Sequence, residues 1–128
     1  MGMNRFSKIS LTAVAAALAL SACSGSTATP ETLPATVGLE VHAVSGLKFD
    51  KAAYEATAGD IEVGYLNMDS IRHTLVVVQD GTKVANFELK VNAKGSTDVG
   101  TVSLTAGNYV LMCTVPGHQN MKADLTVK

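Results

Sequence analysis

Short β-prone runs, separated by turn residues about every ten positions, constrain the fold of this chain more than any other feature. Leu39–Val44 and Ile61–Asn67 alternate apolar and polar residues, which predicts strands that bury one face. The apolar run Leu75–Val78 predicts a strand covered on both faces, and Asp80-Gly81 after it predicts a hairpin turn. The other expected strands are Leu47–Phe49, Thr82–Leu89, Val99–Leu104, Tyr109–Cys113 and Ala123–Val127, while Ala53–Thr57 is short and its pattern is ambiguous. The pattern predicts an all-β fold, a Greek-key β-sandwich of seven to eight strands.

The first 22 residues have the organisation of an export signal. A basic segment with Arg5 and Lys8 precedes an apolar run that is too short to span a bilayer. The segment ends in Leu20-Ser21-Ala22-Cys23, which resembles the lipobox of bacterial lipoproteins. The resemblance implies a signal peptide over residues 1–22 and a lipid anchor on Cys23, held in the membrane by two acyl chains. The alternative is ordinary export with a cysteine near the cleavage site by chance.

A low-complexity stretch follows the cysteine. Residues 24–37 are mostly Ser, Thr, Ala, Gly and Pro, with Glu31 as the one charged residue. Such a composition lacks the apolar periodicity that offsets the entropy of ordering. We therefore expect a lipidated cysteine and flexible linker over 23–37 and a folded domain over 38–128. The protein is then exported and anchored on the outer face of the cell membrane, or is periplasmic.

Length and charge limit the classes of function. Without residues 1–22 the chain has 106 residues, about one domain with a single core. It then carries 8 Lys and Arg against 11 Asp and Glu, a net charge of −3 with neutral histidines. The two signs are interspersed, whereas nucleic-acid binding needs clustered cations. We expect a monomer that binds neither nucleic acid nor a small-molecule substrate.

Four side chains with metal-binding chemistry lie at predicted strand ends. Cys113, His118 and Met121 lie within nine residues after one predicted strand, and His73 immediately precedes another. If these two strands are antiparallel neighbours, His73 and Cys113 lie at the same end of the fold. Pro116 and the glycine after it allow the intervening loop to turn back. One thiolate and two imidazoles, with a thioether at longer range, form the ligand set of an electron-transfer copper site.

The domain from about Leu39 to Lys128 resembles the cupredoxins, the small blue copper proteins related to plastocyanin, azurin and amicyanin. The segment Cys-Thr-Val-Pro-Gly-His-Gln-Asn-Met-Lys, which begins at Cys113, is the strongest part of the resemblance. Its Cys-x4-His spacing is similar to that of azurin or auracyanin, and its His-x2-Met spacing to that of amicyanin. The other motifs that carry the resemblance are Ala58-Gly59-Asp60, Asn67 six residues before His73, and Gly107-Asn108-Tyr109.

The resemblance implies one copper ion that cycles between Cu(II) and Cu(I). His73, Cys113 and His118 would be its equatorial ligands, and Met121 its weak axial ligand. Family members often link the two ligand loops at the residue after the first histidine, which implies that Thr74 supports the thiolate; a surface strand threonine is the alternative. The implied function is one-electron transfer between transient redox protein partners, without enzymatic activity.

The residue counts argue against several other functions. A multicopper oxidase needs further histidines, a binuclear copper centre needs two cysteines in the loop, and a structural zinc site rarely uses methionine. A hydrolase would need Cys113 as nucleophile with a base and an oriented third group, and the spacing offers no such partner beyond His118. A disulfide between Cys23 and Cys113 is the usual interpretation of an exported pair, but each cysteine has a better use. Two hypotheses stay open: an extracytoplasmic copper carrier or storage protein, and an Ig-like adhesion module that binds no copper.

Overall fold

The computed structural model describes residues 32–128, and these residues fold as ten β-strands. The predicted signal peptide, Cys23 and the first part of the predicted linker lie outside the described residues. No helix long and apolar enough to cross a membrane occurs within 32–128. The strands are β1 (Leu39–Val44), β2 (Lys48–Phe49), β3 (Ala53–Ala56), β4 (Gly59–Asn67), β5 (His73–Gln79), β6 (Thr82–Lys83), β7 (Leu89–Val91), β8 (Thr97–Leu104), β9 (Gly107–Met112) and β10 (Lys122–Val127).

The strands form the predicted sandwich of two sheets. One sheet has the order β2-β1-β4-β8, with β1 parallel to β4. The other has the order β3-β10-β9-β5-β6, and β7 pairs with β5 outside this path. Seven strands have at least four residues, and the other three have only two or three. The all-β prediction is confirmed.

The periodicity of the sequence explains which faces are buried. In β4, Ile61, Val63 and Tyr65 face the core and are at most 4% exposed. In β5, Leu75 and Val76 are both buried although they point to opposite faces, so the prediction of a strand covered on both sides is confirmed. Each large apolar side chain buried in this way contributes roughly 1.5–3 kcal/mol to folding.

The predicted strand Thr82–Leu89 differs from the structure, which divides it between β6 and β7. Asn86 has a φ of 60°, a left-handed conformation that a strand does not accommodate. Phe87 then enters the core at 4% exposure. The apolar residues in this stretch are therefore buried by an irregular connection rather than by a continuous ladder.

The segment 33–37, which composition assigns to the linker, contacts the folded domain. Thr36 Oγ1 donates a hydrogen bond to Glu62 at 2.8 Å. A Cβ atom on Gly64 would lie 2.9 Å from a methyl carbon of Leu33 and 3.0 Å from one of Val37. These two apolar side chains therefore cover the outer face of β4 where it has no side chain of its own.

Four loops meet at one end of the sandwich, which we call the site end: 45–47, 68–72, 92–96 and 113–121. Ser45 Oγ donates to Asp69 Oδ1 at 3.4 Å, which joins the first two loops. The amide of Gly95 donates to the carbonyl of Asn67 at 2.7 Å, which joins the third loop to the end of β4. The fourth loop, 113–121, connects β9 to β10 and carries three of the predicted ligands.

Candidate metal centre

The pairing of two strands brings the ligands of separate loops together. β5 and β9 are antiparallel neighbours, with Val76 opposite Met112. His73 is the first residue of β5, and Cys113 directly follows β9. Both residues consequently lie at the site end, as the sequence predicts for this pairing.

Three of the four predicted ligand residues place a donor atom in one cluster. One ring nitrogen each of His73 and His118 and the Sγ of Cys113 all lie within 4.8 Å of one another. The Nδ1 of His118 is 3.6 Å from Cys113 Sγ, and the two imidazole ring centroids are 5.1 Å apart. His73 is fully buried and Cys113 is 1% exposed, whereas His118 is partly exposed. Cys113 is a free cysteine, available as a thiolate ligand.

Backbone hydrogen bonds close the loop that carries Cys113 and His118. The amide of Cys113 donates to the carbonyl of Met121 at 3.1 Å, and the amide of Met121 donates to the carbonyl of His118 at 2.8 Å. The amide of His118 donates to the carbonyl of Val115 at 3.0 Å. Gly117 has a φ of 88°, a conformation that side chains rarely adopt, and this explains the glycine before His118.

Met121 is fully buried and belongs to the same core cluster as Cys113. The hydrogen bond from the Cys113 amide to its carbonyl fixes its backbone beside the cysteine. Axial coordination by its thioether stays a prediction.

The two ring nitrogens of His73 show that a metal fits this site. Nε2 lies 3.0 Å from Asp69 Oδ2, and Nδ1 is the one buried side-chain polar atom of the described chain without a hydrogen-bond partner. A buried unsatisfied nitrogen costs about 1–3 kcal/mol. Coordination by Nδ1 would remove that cost. A thiolate and two neutral imidazoles are also the soft donor set that suits copper.

Asp69 is part of the centre, although the sequence analysis did not include it. Its Oδ1 accepts the amide hydrogen of Ser70 at 2.7 Å, and its Oδ2 faces His73. The hydrogen bond from His73 is the main cause that holds the pKa of Asp69 below its ordinary value, so the group is a carboxylate. A carboxylate on Nε2 directs the proton to that atom and leaves Nδ1 for a metal. In the sequence, the one indication of this role is that an acidic residue, Asp69, stands four positions before the ligand His73.

Asn67 organises the loop that holds Asp69. Its side chain is fully buried, and its amide group donates to the carbonyl of Ile71 at 2.8 Å. Its Oδ1 accepts the amide hydrogen of Asp69 at 2.9 Å. These bonds explain the asparagine six residues before His73 as the residue that fixes the turn of this loop.

Thr74 lies where the sequence predicts a residue that supports the thiolate. Its amide is 3.4 Å from Cys113 Sγ, and its hydroxyl is 3.6 Å from the same sulfur. The hydroxyl also accepts the amide hydrogen of Thr114 at 2.8 Å. Thr74 therefore links the two ligand loops and directs donors at the sulfur, which reduces the charge density on a thiolate.

Comparisons with known proteins agree with this geometry. Residues 35–128 match the model of a family described as copper binding proteins, plastocyanin/azurin family. Among curated protein sequences, none matches the chain at a significant level.

Several solved structures share the fold. The dithionite-reduced auracyanin of the photosynthetic bacterium Roseiflexus castenholzii is similar with a TM-score of 0.59 and 21% identity, over 70% of this chain and 95% of that chain. An azurin (iso-2) of the methylotroph Methylomonas sp. strain J gives a TM-score of 0.60 at 12% identity, over 73% of this chain and 99% of that chain. A reduced amicyanin variant gives 0.55 at 18% identity, over 75% and 86% of the two chains.

The family match spans most of the chain, and the donors that copper requires meet at one end of a fold shared with the blue copper proteins. The chain therefore belongs to the plastocyanin/azurin family of copper-binding proteins and has a single copper site.

Proposed function

We propose that this protein transfers single electrons between protein partners. Bound copper would supply the Cu(II)/Cu(I) couple. The remaining requirements fall on the protein: it must hold the donors still, exclude water and leave one path to the surface.

The arrangement of the donors carries this proposal. The donor atoms of His73, Cys113 and His118 lie within 4.8 Å of one another. Strand β5 and the hydrogen-bonded loop 113–121 hold them in place. A site whose ligands do not rearrange can serve both oxidation states of copper, which keeps the reorganisation small.

The burial of two of the ligands weighs against the copper carrier. A carrier must release its metal to a recipient, and this requires ligands that the recipient can reach. His73 and Cys113 are essentially inaccessible, at 0% and 1% exposure. The burial of these two ligands therefore favours transfer of an electron over transfer of the ion.

His118 provides the path to the surface. It is the partly exposed member of the donor cluster and lies beside exposed Pro116 and partly buried Val115. A redox partner that touches this edge needs only a small contact, since transient redox complexes bury less than about 1,200 Å². We propose weak and fast binding at this surface.

The proposal also includes export and attachment to the membrane. Cys23 would receive its lipid and become the mature N-terminus on cleavage of residues 1–22, and the anchored monomer would work on the outer face of the cell membrane or in the periplasm. We propose no enzymatic activity, because the protein surrounds the donor cluster and leaves only the His118 edge accessible.

A matched pair of cysteine variants tests the proposal. Cys113→Ser should abolish the intense visible band of the copper-loaded protein, because the thiolate produces that band; Cys23→Ser should retain it. Voltammetry of the loaded protein should show a reversible one-electron wave. Rapid loss of copper to a Cu(I) chelator without such a wave would instead support the carrier. Incorporation of a radiolabelled fatty acid into the same variants tests the anchor, because Cys23→Ser cannot accept the acyl chains and should stay unlabelled.

A further inference from the structure

Two basic grooves flank the ligand loop at the site end. Lys48, Lys51 and Lys122 line a groove of about 470 Å³ together with the end of β1. Arg72 and Lys90 line a second groove, of about 240 Å³, whose other wall is Thr114–Pro116 of the ligand loop. Lys94 lies in the neighbouring loop 92–96, which is hydrogen-bonded to the end of β4. We call these cations the basic rim: Lys48, Lys51, Arg72, Lys90, Lys94 and Lys122.

Most of the basic rim is not neutralised by acidic neighbours. Within the described chain, Lys48, Arg72, Lys94 and Lys122 take part in none of the ion pairs. Each groove also holds one acidic residue. Asp50 of the first accepts hydrogen bonds from the hydroxyl of Tyr54 and the amide of His42 and partly offsets the charge of Lys51. Glu88 of the second lies 2.7 Å from Lys83 and 3.4 Å from Lys90, so its charge is shared between these two cations.

The opposite end of the sandwich has the opposite charge. β1 and β4 are parallel and run toward the site end, so their early acidic residues lie at the far end. The turn between β5 and β6 and the C-terminus also lie there. The acidic residues at that end are Glu40, Glu55, Asp60, Glu62 and Asp80. Of the two other cations of the described chain, Lys128 pairs with Glu55 at that end and Lys83 pairs with Glu88 of the second groove. The site-end half of the described chain carries the six cations of the basic rim against five carboxylates, Asp50, Asp69, Glu88, Asp98 and Asp124, whereas the far end is net acidic.

Apolar side chains lie between the basic residues. Met68 is 50% exposed and Ile71 is 43% exposed, both in the loop that precedes His73. Val115 and Pro116 border the same face from the ligand loop. An apolar centre with a polar rim is the general form of a protein–protein interface.

We propose that the basic rim docks an acidic protein surface over the exposed edge of His118. The inference rests on the proposed electron transfer and specifies the chemistry of the partner. Complementary charge would steer the encounter and orient the acidic protein toward the metal centre, while the far end would repel it. The complementary charge would mainly increase the association rate, which fast turnover of a redox complex requires.

A matched pair of charge variants tests the proposal. Lys122 and Lys128 are both exposed and lie at opposite ends of β10, about 20 Å apart. Poly-L-glutamate is titrated into the copper-loaded protein in its diamagnetic Cu(I) form, and binding is followed by amide chemical shifts at low ionic strength. The shifts should concentrate in the loops of the site end. Lys122→Glu should weaken binding roughly fivefold, because an attraction becomes a repulsion. Lys128→Glu should change it by less than about twofold.

Two outcomes would overturn the proposal. Equal effects of the two variants, or shifts spread over the far end, would mean that the net charge and not the basic rim controls binding. Binding to phosphatidylglycerol vesicles that depends on Lys122, without a response to poly-L-glutamate at the site end, would assign the rim to the membrane instead. Voltammetry of the same samples keeps the two proposals distinct: a missing reversible wave contradicts electron transfer, whatever the shifts show.

Discussion

The imidazole of His73 shows how much of this centre is determined by single residues. One nitrogen faces the carboxylate of Asp69 at 3.0 Å, and the other is buried without a hydrogen-bond partner. The carboxylate increases electron donation through the ring and places negative charge near the metal position. Both effects favour Cu(II) over Cu(I).

Asp69→Asn should therefore raise the reduction potential. The expected increase is about 60 mV, which corresponds to a tenfold loss of affinity for Cu(II) relative to Cu(I). Voltammetry of the copper-loaded variant measures it. Ser45→Ala is the control, because it removes only the 3.4 Å hydrogen bond to the far oxygen of Asp69 and should change the potential much less. An unchanged potential in Asp69→Asn would show that the carboxylate only orients the ring.

Met121→Gln tests the predicted axial ligand. An amide oxygen is a harder donor than a thioether and stabilises Cu(II), so copper should still bind while the potential falls by at least roughly 60 mV. Met68→Gln is the matched control, since Met68 is 50% exposed on a neighbouring loop. Equal potentials for Met121→Gln and the unsubstituted protein would exclude Met121 from coordination.

The residues of the centre differ in how far sequence could predict them. Cys113, His118 and Met121 share one short loop, and His73 has the right position relative to a strand, so residue type and spacing were enough to nominate them. Asp69 was missed because its role depends on a turn that brings it beside the Nε2 of His73. The side-chain bonds of Asn67 form that turn, and a sequence pattern does not show them.

At the scale of elements, the strand β4 depends on a contact with the segment before β1. Gly64 faces outward and is nevertheless buried, because Leu33 and Val37 lie over it. A methyl group there would come within 3.0 Å of both side chains. The segment 33–37 is thus part of the folded unit.

Gly64→Ala should displace Leu33 and Val37 and destabilise the fold by about 1–2 kcal/mol, the usual cost of overpacking. Thermal unfolding measures the loss, and limited proteolysis should show earlier cleavage near residues 33–37. Gly38→Ala is the control, because the nearest atom to its new methyl group would be 3.8 Å away. Equal stability of the two variants would mean that the segment adapts without cost.

The connection between β2 and β3 predicts a response to acid. Burial alone would raise the pKa of Asp50, but hydrogen bonds from the hydroxyl of Tyr54 and the amide of His42 outweigh it and lower the pKa below its ordinary value of 3.8. A lowered pKa in the folded state stabilises the protein above pH 3.8, and this stability is lost as the pH falls through the folded-state value. Asp50→Asn should therefore reduce the pH dependence of unfolding below about pH 4, measured by denaturant titrations at several pH values. A variant with an unchanged acid response would assign the effect to other carboxylates.

The elements themselves were largely predictable, because alternation and apolar runs report burial directly. β4 and β5 follow their patterns. The run Thr82–Leu89 differs from its prediction, since Asn86 interrupts it and Phe87 is buried in an irregular connection between β6 and β7. The composition of residues 33–37 is that of a linker. Their contact with Gly64, about 30 residues later in the chain, cannot be recognised from the local sequence.

At the scale of the whole molecule, the copper site joins residues that are distant in the chain and that the pairing of β5 with β9 brings together. His73 belongs to one loop and strand, whereas Cys113 and His118 belong to another loop about 40 residues later. An ion bound only by the folded state stabilises the whole domain by mass action, by about 4 kcal/mol when its free concentration is 1,000 times the dissociation constant. It also gives the orphaned Nδ1 of His73 a partner.

Removal of copper should accordingly lower the unfolding temperature by at least about 10 °C for a domain of this size. Differential scanning calorimetry of loaded and chelator-treated protein measures the difference. The tertiary structure should persist without metal, because the core cluster does not depend on the ion. Cys113→Ser should show a much smaller difference, since it lacks the thiolate. A metal-free form that unfolds entirely would contradict the proposal that the fold alone holds the donors in place, because the donors would then require the ion to bring them together.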